Sequence, residues 1–159
     1  MNYMRLLKIL YIAERECLAE SGKPLAGGRI LAMERGPVLE EVYRLIRSES
    51  YHTPEWAKYI RTDEYELELV DDPGVGKLTT FIVDKLDQIA ERHKRDDEWE
   101  MVRITHLLQE WRKNDPGKSS KEIPLTDILE AVGRAADVQR IVENDKRDFQ
   151  MAAFFADRP

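Results

Sequence analysis

Apolar positions in the first twenty residues recur with the period of a helix. The apolar stripe runs through positions 3, 6, 7, 10, 11, 17 and 18. Charged residues, Lys8 and Glu14 among them, fill the remaining positions, as in an amphipathic surface helix. This spacing predicts a helix from Tyr3 to about Glu20. Gly22 suits the left-handed position that follows a helix end.

The next stretch alternates short apolar runs with turn residues. Residues 30–33 form an apolar run that predicts either a buried strand or a helical turn. Gly36 and Pro37 predict the start of a second helix, because proline suits the first helical turn, where its missing N–H costs nothing. That helix is expected to end by Ser50.

A period of two appears in residues 58–70 and predicts a β-hairpin with its turn near Thr62 and Asp63. One face of its second arm is apolar (Tyr65, Leu67, Leu69) and the other is acidic (Glu64, Glu66, Glu68). The acidic row is typical of a solvated face that protects a sheet edge. The alternative is a docking strip for a basic partner.

Helical periodicity returns in the second half. Thr79 is expected to cap a third helix that runs to about His93, and Asp96 or Asp97 to cap a fourth that includes Trp111. Residues 118–122 are predicted to be a mobile polar connection, and Pro124 to open a short helix. The fold class predicted is therefore mainly α: a single compact domain of about five to six helices with one small β-hairpin.

A last helix is predicted after Gly133, and three aromatic residues follow near the C-terminus: Phe149, Phe154 and Phe155. They are expected to pack on the domain's own core or on another chain. Residues 133–159 are accordingly assigned to a C-terminal helical extension of a domain that spans residues 1–132.

Charge and cysteine content narrow the classes of function. The 159 residues include 25 basic and 31 acidic side chains, a net charge of −6, which argues against nucleic-acid binding and suits a basic protein surface. The single cysteine, Cys17, lies on the apolar side of the first helix and is expected to be a small buried hydrophobe. Neither a membrane-spanning run nor a signal-peptide pattern is present, so a cytoplasmic location is expected.

The residue types that usually carry chemistry are scattered. His52, His93 and His106 do not show the short spacing of a zinc site. Residues 74–77, Gly-Val-Gly-Lys, lack the leading glycine of a phosphate-binding loop. No catalytic residue, metal or cofactor is predicted.

Residues 6–15, 22–27 and 32–38 follow one another in an order that resembles the opening of the Panacea domain, the family of SocA-type antitoxins and related phage-associated proteins. Shorter matching stretches follow further along the chain. All of these stretches together span about residues 3–130 and include five positions with a structural role in the family signature: Leu7, Tyr11, Gly36, Pro37 and Val38. The later part of the resemblance rests on Leu78-Thr79 and on Thr105-His106 followed by Trp111. Glu14 stands where the family usually has aspartate, and residues 107–110 replace a more acidic, proline-containing spacer.

This resemblance implies a non-enzymatic antitoxin that neutralises a cognate toxin protein by direct binding. In at least one branch of the family the antitoxin is thought to be an adaptor that delivers its toxin to a protease, so a protease or chaperone is a further expected partner. The predicted partner-binding residues are the signature positions Arg15, Arg35, Tyr43, His106 and Trp111. For each of them the alternative is structural packing.

Three other functions stay open. The first is a phage or mobile-element accessory protein of the same fold that binds another host protein. The second is a small hydrolase or nucleotide-binding enzyme with Arg15, Arg35 and His106 in a shared cleft, which loses its basis if both arginines are buried in ion pairs with glutamates. The third is a DNA-binding regulator, although no predicted helix carries a basic face. Oligomeric state is not predicted.

Overall fold

The computed structural model describes residues 1–144, 146 and 147. The helices are α1 (Tyr3–Ser21), α2 (Glu40–Ile46), α3 (Thr53–Trp56), α4 (Thr80–Arg92), α5 (Glu98–His106), α6 (Gln109–Lys113) and α7 (Leu125–Ala131). The strands are β1 (Ile30–Met33), β2 (Gly36–Leu39), β3 (Ile60–Asp63), β4 (Glu66–Leu69) and β5 (Ser120–Glu122). A 3-10 turn at Ala135–Asp137 leads into helical residues 138–144. The fold is mainly α, as predicted, with two small sheets and more short helices than expected.

Helix α1 is the central element, packed against β2, α4 and α5. Its apolar stripe buries Tyr11, Cys17 and Leu18, as the periodicity indicates. Gly22 ends the helix in the left-handed conformation (φ 69°), and its N–H donates to the Leu18 carbonyl at 3.0 Å. The predicted helix and its glycine cap are confirmed.

Two charged residues assigned to the solvated face of α1 are in fact buried. Lys8 and Glu14 are each 1% exposed. Glu14 Oε2 accepts the backbone N–H groups of Leu25 and Ala26, both at 2.8 Å, and so anchors the loop that follows the helix. Hydrogen bonds to main-chain groups offset the free-energy cost of burying these side chains, and the local sequence does not show those partners.

The prediction that Gly36 and Pro37 begin a helix is wrong, because both lie in β2. Strands β1 and β2 form an antiparallel hairpin in which Met33 pairs with Gly36 and Ala32 with Pro37. Since β2 is an edge strand, the missing N–H of Pro37 breaks no ladder bond to a further strand. The second helix begins only at Glu40 and ends at Ile46.

The segment predicted to be a mobile connection at 118–122 instead contains β5. This strand pairs antiparallel with β1, Leu31 opposite Glu122, and makes a three-stranded sheet in the order β2-β1-β5. The three residues of β5 are exposed and polar, so their membership of a sheet rests on backbone bonds to β1 and not on an apolar pattern.

The predicted hairpin in residues 58–70 is confirmed as β3 and β4, with a different turn. The turn lies at Glu64 and Tyr65, and Glu64 takes a positive φ of 50°. On the face expected to be apolar, Leu67 is buried whereas Tyr65 and Leu69 are exposed. Strand β4 has the N-terminal residues along its outer side, where Leu67 N–H donates to the Met1 carbonyl at 2.7 Å.

Side-chain caps define the starts of α4 and α5. Thr79 accepts from Ile82 N–H, and Asp97 accepts from the N–H groups of Trp99 and Glu100. The predicted fourth helix does not continue to Trp111. It ends at His106, and Leu108 is extended (φ −71°, ψ 134°) before α6 starts. A further short helix, α3, occupies part of the segment expected to be a loop after Ser50.

The C-terminal part of the described chain packs on α1. Ile141 is 3% exposed and belongs to the same core cluster as Leu18 and Leu129. The Arg134 guanidinium donates to the carbonyl oxygens of Ala19 (2.8 Å) and Glu20 (2.9 Å) at the end of α1. Phe149, Phe154 and Phe155 lie outside the described residues.

Within residues 1–144, 146 and 147, no helix combines the length and the apolar character needed to cross a bilayer.

Candidate functional site

The turn between β1 and β2 packs against α5 through a glycine. Gly36 has φ 97°, a conformation that L side chains rarely adopt. A Cβ atom at this position would lie 2.7 Å from Thr105 Oγ1 and 3.1 Å from Lys8 Cε. Glycine is therefore required here both for the backbone conformation and because the turn lies so close to α1 and α5.

Lys8 lies beneath this turn, with its ammonium group in the protein interior. Its Nζ donates to the Pro37 carbonyl at 2.8 Å. Burial lowers the pKa of Lys8 from 10.5 to about 7, because the charged form loses its hydration. The side-chain amine is thus the hydrogen-bond donor for the main-chain carbonyl of Pro37 in edge strand β2.

His106 and Trp111 close the other side of the turn. Their rings are stacked with centroids 4.0 Å apart and an interplanar angle of 12°. The indole N–H of Trp111 donates to the Met33 carbonyl at 3.2 Å. Burial, and then the nearby charge of Lys8, lower the pKa of His106, which favours the neutral imidazole.

A buried carboxylate next to Trp111 ties α6 to α1. Glu110 Oε1 accepts from the Tyr11 hydroxyl at 2.8 Å and from Arg15 Nε at 2.7 Å. Burial, together with the Glu110 charge, raises the pKa of the Tyr11 hydroxyl well above its usual range. Among the described residues, the second oxygen, Glu110 Oε2, has no hydrogen-bond partner.

The outer surface of the turn carries a cation on an aromatic ring. The Arg35 guanidinium lies 5.3 Å from the ring centroid of Trp99, at the start of α5. Trp99 is 56% exposed, and Leu107 at the other end of α5 is also exposed. Arg35 and these apolar side chains are accessible from solvent.

A family model described as "Antitoxin SocA-like, Panacea domain" matches residues 6–112 of the 159 residues. The chain belongs to the SocA-like antitoxin family. This family suggests a non-enzymatic role and a toxin as the general class of partner. Comparison with curated proteins and with solved structures gave no significant match.

The Panacea domain brings together some of the five predicted partner-binding residues and not others. Arg35, His106 and Trp111 surround the β1–β2 turn, and Arg15 joins them through Glu110. Tyr43 packs elsewhere, in the apolar cluster that contains Leu7, Val38 and Leu67. Of the five, Arg35 is exposed, Trp111 is buried and the other three are partly buried. Their role in partner binding stays a prediction.

The enzymatic alternative would lose its basis if Arg15 and Arg35 were both buried in ion pairs with glutamates. Of the two arginines, only Arg15 forms such an ion pair with a described glutamate. Arg15 is in an ion pair with the fully buried Glu110, whereas Arg35 stacks on an exposed ring. Among the described residues, Lys8 is the amine with a strongly lowered pKa, and it is 1% exposed and out of reach of a substrate. In the part of the chain that the structure describes, no group of three His, Cys, Asp or Glu residues is arranged to hold a metal ion.

Sequence reasoning missed the two buried groups that organise this site, Lys8 and Glu110. Helical spacing places Lys8 beside Tyr11 on α1, but nothing local in the sequence shows the Pro37 carbonyl that makes burial of the amine possible. Glu110 had no local signal either, because the turn of chain between α5 and α6 that carries it inward was not predicted.

Proposed function

We propose that this protein is a non-enzymatic antitoxin that neutralises a cognate protein toxin by direct binding. The observation that carries the proposal is the Panacea-domain match over residues 6–112. Neutralisation of this kind requires a stable surface complementary to the toxin and no chemistry of its own.

The polar groups around the β1–β2 turn make structural hydrogen bonds, which supports the non-enzymatic part of this proposal. Lys8 is bonded to the Pro37 carbonyl, and Glu110 to Tyr11 and Arg15, so these groups hold α1, α6 and the turn together. A net charge of −6 favours encounter with a toxin whose surface is basic.

Co-expression with the product of the adjacent small open reading frame tests the proposal. We expect that product to stop growth when it is induced alone, and growth to recover when this chain is co-induced and co-purifies with it. A toxic product that this chain neither binds nor neutralises contradicts the proposal. A harmless product, together with a different host protein in the purified complex, favours the phage or mobile-element accessory function instead.

The half-life of the toxin then separates sequestration from delivery to a protease. In a pulse-chase experiment a sequestered toxin keeps its half-life in the presence of the antitoxin, whereas a delivered toxin is degraded faster, and deletion of the responsible protease restores it. We propose sequestration as the simpler mechanism, since it needs only one binding surface. Faster loss of the toxin would establish the adaptor mechanism.

Arg35 is the first predicted partner-binding residue to vary, since it is the exposed member of the five. Arg35→Glu reverses a surface charge next to Trp99 and is expected to change the affinity for the toxin if the turn contacts the toxin. Lys118→Glu makes the same change in net charge at another exposed position and provides the control. Equal affinity of the two variants would remove Arg35 from the binding surface.

A further inference from the structure

The β3–β4 ribbon has one covered edge and one open edge. Residues 1–3 run along the outer side of β4, where Met1 and Leu67 exchange backbone bonds and Tyr3 N–H donates to the Tyr65 carbonyl. On its other side β4 pairs with β3. Among the described residues, no strand pairs with the outer edge of β3.

The register shows which backbone groups this open edge presents. Val70 N–H donates to the Tyr59 carbonyl at 2.8 Å, which makes residues 59 and 70 a hydrogen-bonded pair. Hydrogen-bonded and non-bonded pairs alternate along an antiparallel ladder, so Arg61 pairs with Glu68 by hydrogen bonds. The N–H and C=O groups of Ile60 and Thr62 consequently point away from β4, towards the open edge.

A surface cavity of about 420 Å³ lies beside the same strand. Its lining includes Ile60, Arg61 and Thr62 of β3, together with Leu45 at the end of α2 and Trp56 in α3. Alternate residues of a strand point to the same side. A strand added to β3 would therefore have side chains on one face directed towards this partly apolar cavity.

The charge of the ribbon favours one class of occupant. Residues 59–72 contain a single basic side chain, Arg61, which is in an ion pair with Glu68. They contain six acidic residues: Asp63, Glu64, Glu66, Glu68, Asp71 and Asp72. A second copy of this chain would bring the same acidic ribbon edge to edge and be repelled, whereas a basic segment would be attracted.

We propose that the open edge of β3 binds an extended, basic segment of the partner protein by strand addition. Backbone bonds to Ile60 and Thr62 hold the segment, an apolar side chain fills the cavity, and lysine or arginine side chains face the acidic ribbon. The identity of the partner as a toxin rests on the proposed function, but the binding mode does not.

Substitution of Thr62 by proline tests the backbone bonds directly. Proline removes an N–H that makes no bond to β4, so the free hairpin is expected to stay intact while strand addition is blocked. Thr62→Val keeps the N–H and is the matched control. We expect Thr62→Pro to weaken binding of the adjacent-gene product at least tenfold and Thr62→Val to change it little. Equal affinity of both variants and wild type overturns the proposal.

Charge reversal within β3 gives a second measurement that does not depend on proline. Asp63→Lys is expected to weaken binding and to reduce its dependence on salt. Asp87→Lys makes the same change in net charge on the exposed surface of α4 and is expected to leave affinity near that of wild type. An equal effect of the two variants would mean that only overall charge matters, and would overturn the assignment to this edge.

Amide hydrogen exchange distinguishes failure of this inference from failure of the proposed function. In the complex, amide exchange at Ile60 and Thr62 should slow.

A peptide experiment decides the binding mode if the adjacent-gene product does not bind at all and the proposed function fails. It uses a capped peptide of alternating Lys and Val, with a Glu-Val peptide as control. Unchanged exchange at both residues with the Lys-Val peptide overturns strand addition. Protection that grows with the concentration of the free chain would assign the edge to a second copy and also overturn it.

Discussion

At the scale of single residues, the centre of the molecule depends on polar groups that the apolar stripe of α1 does not indicate. Lys8 and Glu14 are buried as completely as Leu7 and Leu18 of the same helix, and each bonds to main-chain atoms of another segment. The hydrogen bonds that offset the cost of burying these two side chains therefore form only when the β1–β2 hairpin and the loop after α1 are folded.

Lys8 makes the stability of the fold depend on pH. Its folded pKa is about 7, whereas the unfolded side chain keeps its proton to about 10.5. Between these values the unfolded state binds more protons, so stability rises with pH. Below pH 7 Lys8 is protonated in both the folded and the unfolded state, and its burial then destabilises the folded state to the full extent.

We expect the free energy of unfolding of wild type, relative to Lys8→Met, to rise between pH 7 and 10.5 by up to about 1.4 kcal/mol per pH unit. Urea unfolding of both proteins at pH 6, 7.5 and 9 measures this difference. Parallel pH profiles of the two proteins would show that Lys8 is solvated and not buried.

Gly36 carries the strictest steric requirement around the turn. Gly36→Ala introduces a Cβ 2.7 Å from Thr105 Oγ1 at a φ of 97°, and is expected to destabilise the fold by about 1–3 kcal/mol. Gly28→Ala is the control, because Gly28 also has positive φ (79°) but has nothing within 4 Å of the added atom. Chemical unfolding compares them, and an equal loss in both would mean that backbone strain alone matters and the contact with Thr105 does not.

At the scale of elements, local signals worked where an element carries its own start and stop residues. The glycine cap of α1, the threonine and aspartate caps of α4 and α5, and the alternation in β4 are all readable within a few residues. Elements whose existence depends on a distant strand were missed or misassigned. Strand β5 lacks an apolar pattern, and β2 contains the Gly-Pro pair that locally favours a helix start.

The cap of α5 gives a prediction at this scale. The Asp97 carboxylate accepts two backbone N–H groups, at 3.0 and 2.8 Å, whereas Thr79 accepts one for α4 at 3.3 Å. We expect Asp97→Ala to cost about 1 kcal/mol and Thr79→Ala less, because fewer and longer bonds are lost in α4. Thermal unfolding measures both, and a larger loss for Thr79→Ala would contradict this ranking.

At the scale of the whole molecule, the core extends beyond the residues that define the family. The match ends at residue 112, yet β5 completes the three-stranded sheet and Ile141 completes the cluster around Leu18. The division into a domain of residues 1–132 and an extension of residues 133–159 stays a prediction.

Ile141→Ala tests how far the extension contributes to the core. Ile141 is 3% exposed, so removal of its side chain is expected to destabilise the fold by about 2–4 kcal/mol. Val75→Ala, at a position that is 60% exposed, should change stability little. Chemical unfolding measures both variants. A lower free energy of unfolding for Ile141→Ala in a single cooperative transition would show that the extension unfolds with the domain, and an unchanged value would show that the extension is dispensable for folding.

The sequence by itself determined the features that depend on near neighbours: the central amphipathic helix and its glycine cap, the caps of α4 and α5, the β3–β4 hairpin and the resemblance to the Panacea domain. Only the tertiary structure decided that Gly36 and Pro37 lie in a strand, that residues 120–122 join a sheet, and that Lys8 and Glu110 are buried. The physical reason is that their partners are distant in sequence: Lys8 bonds to Pro37, β5 to β1 and Glu110 to Tyr11 and Arg15.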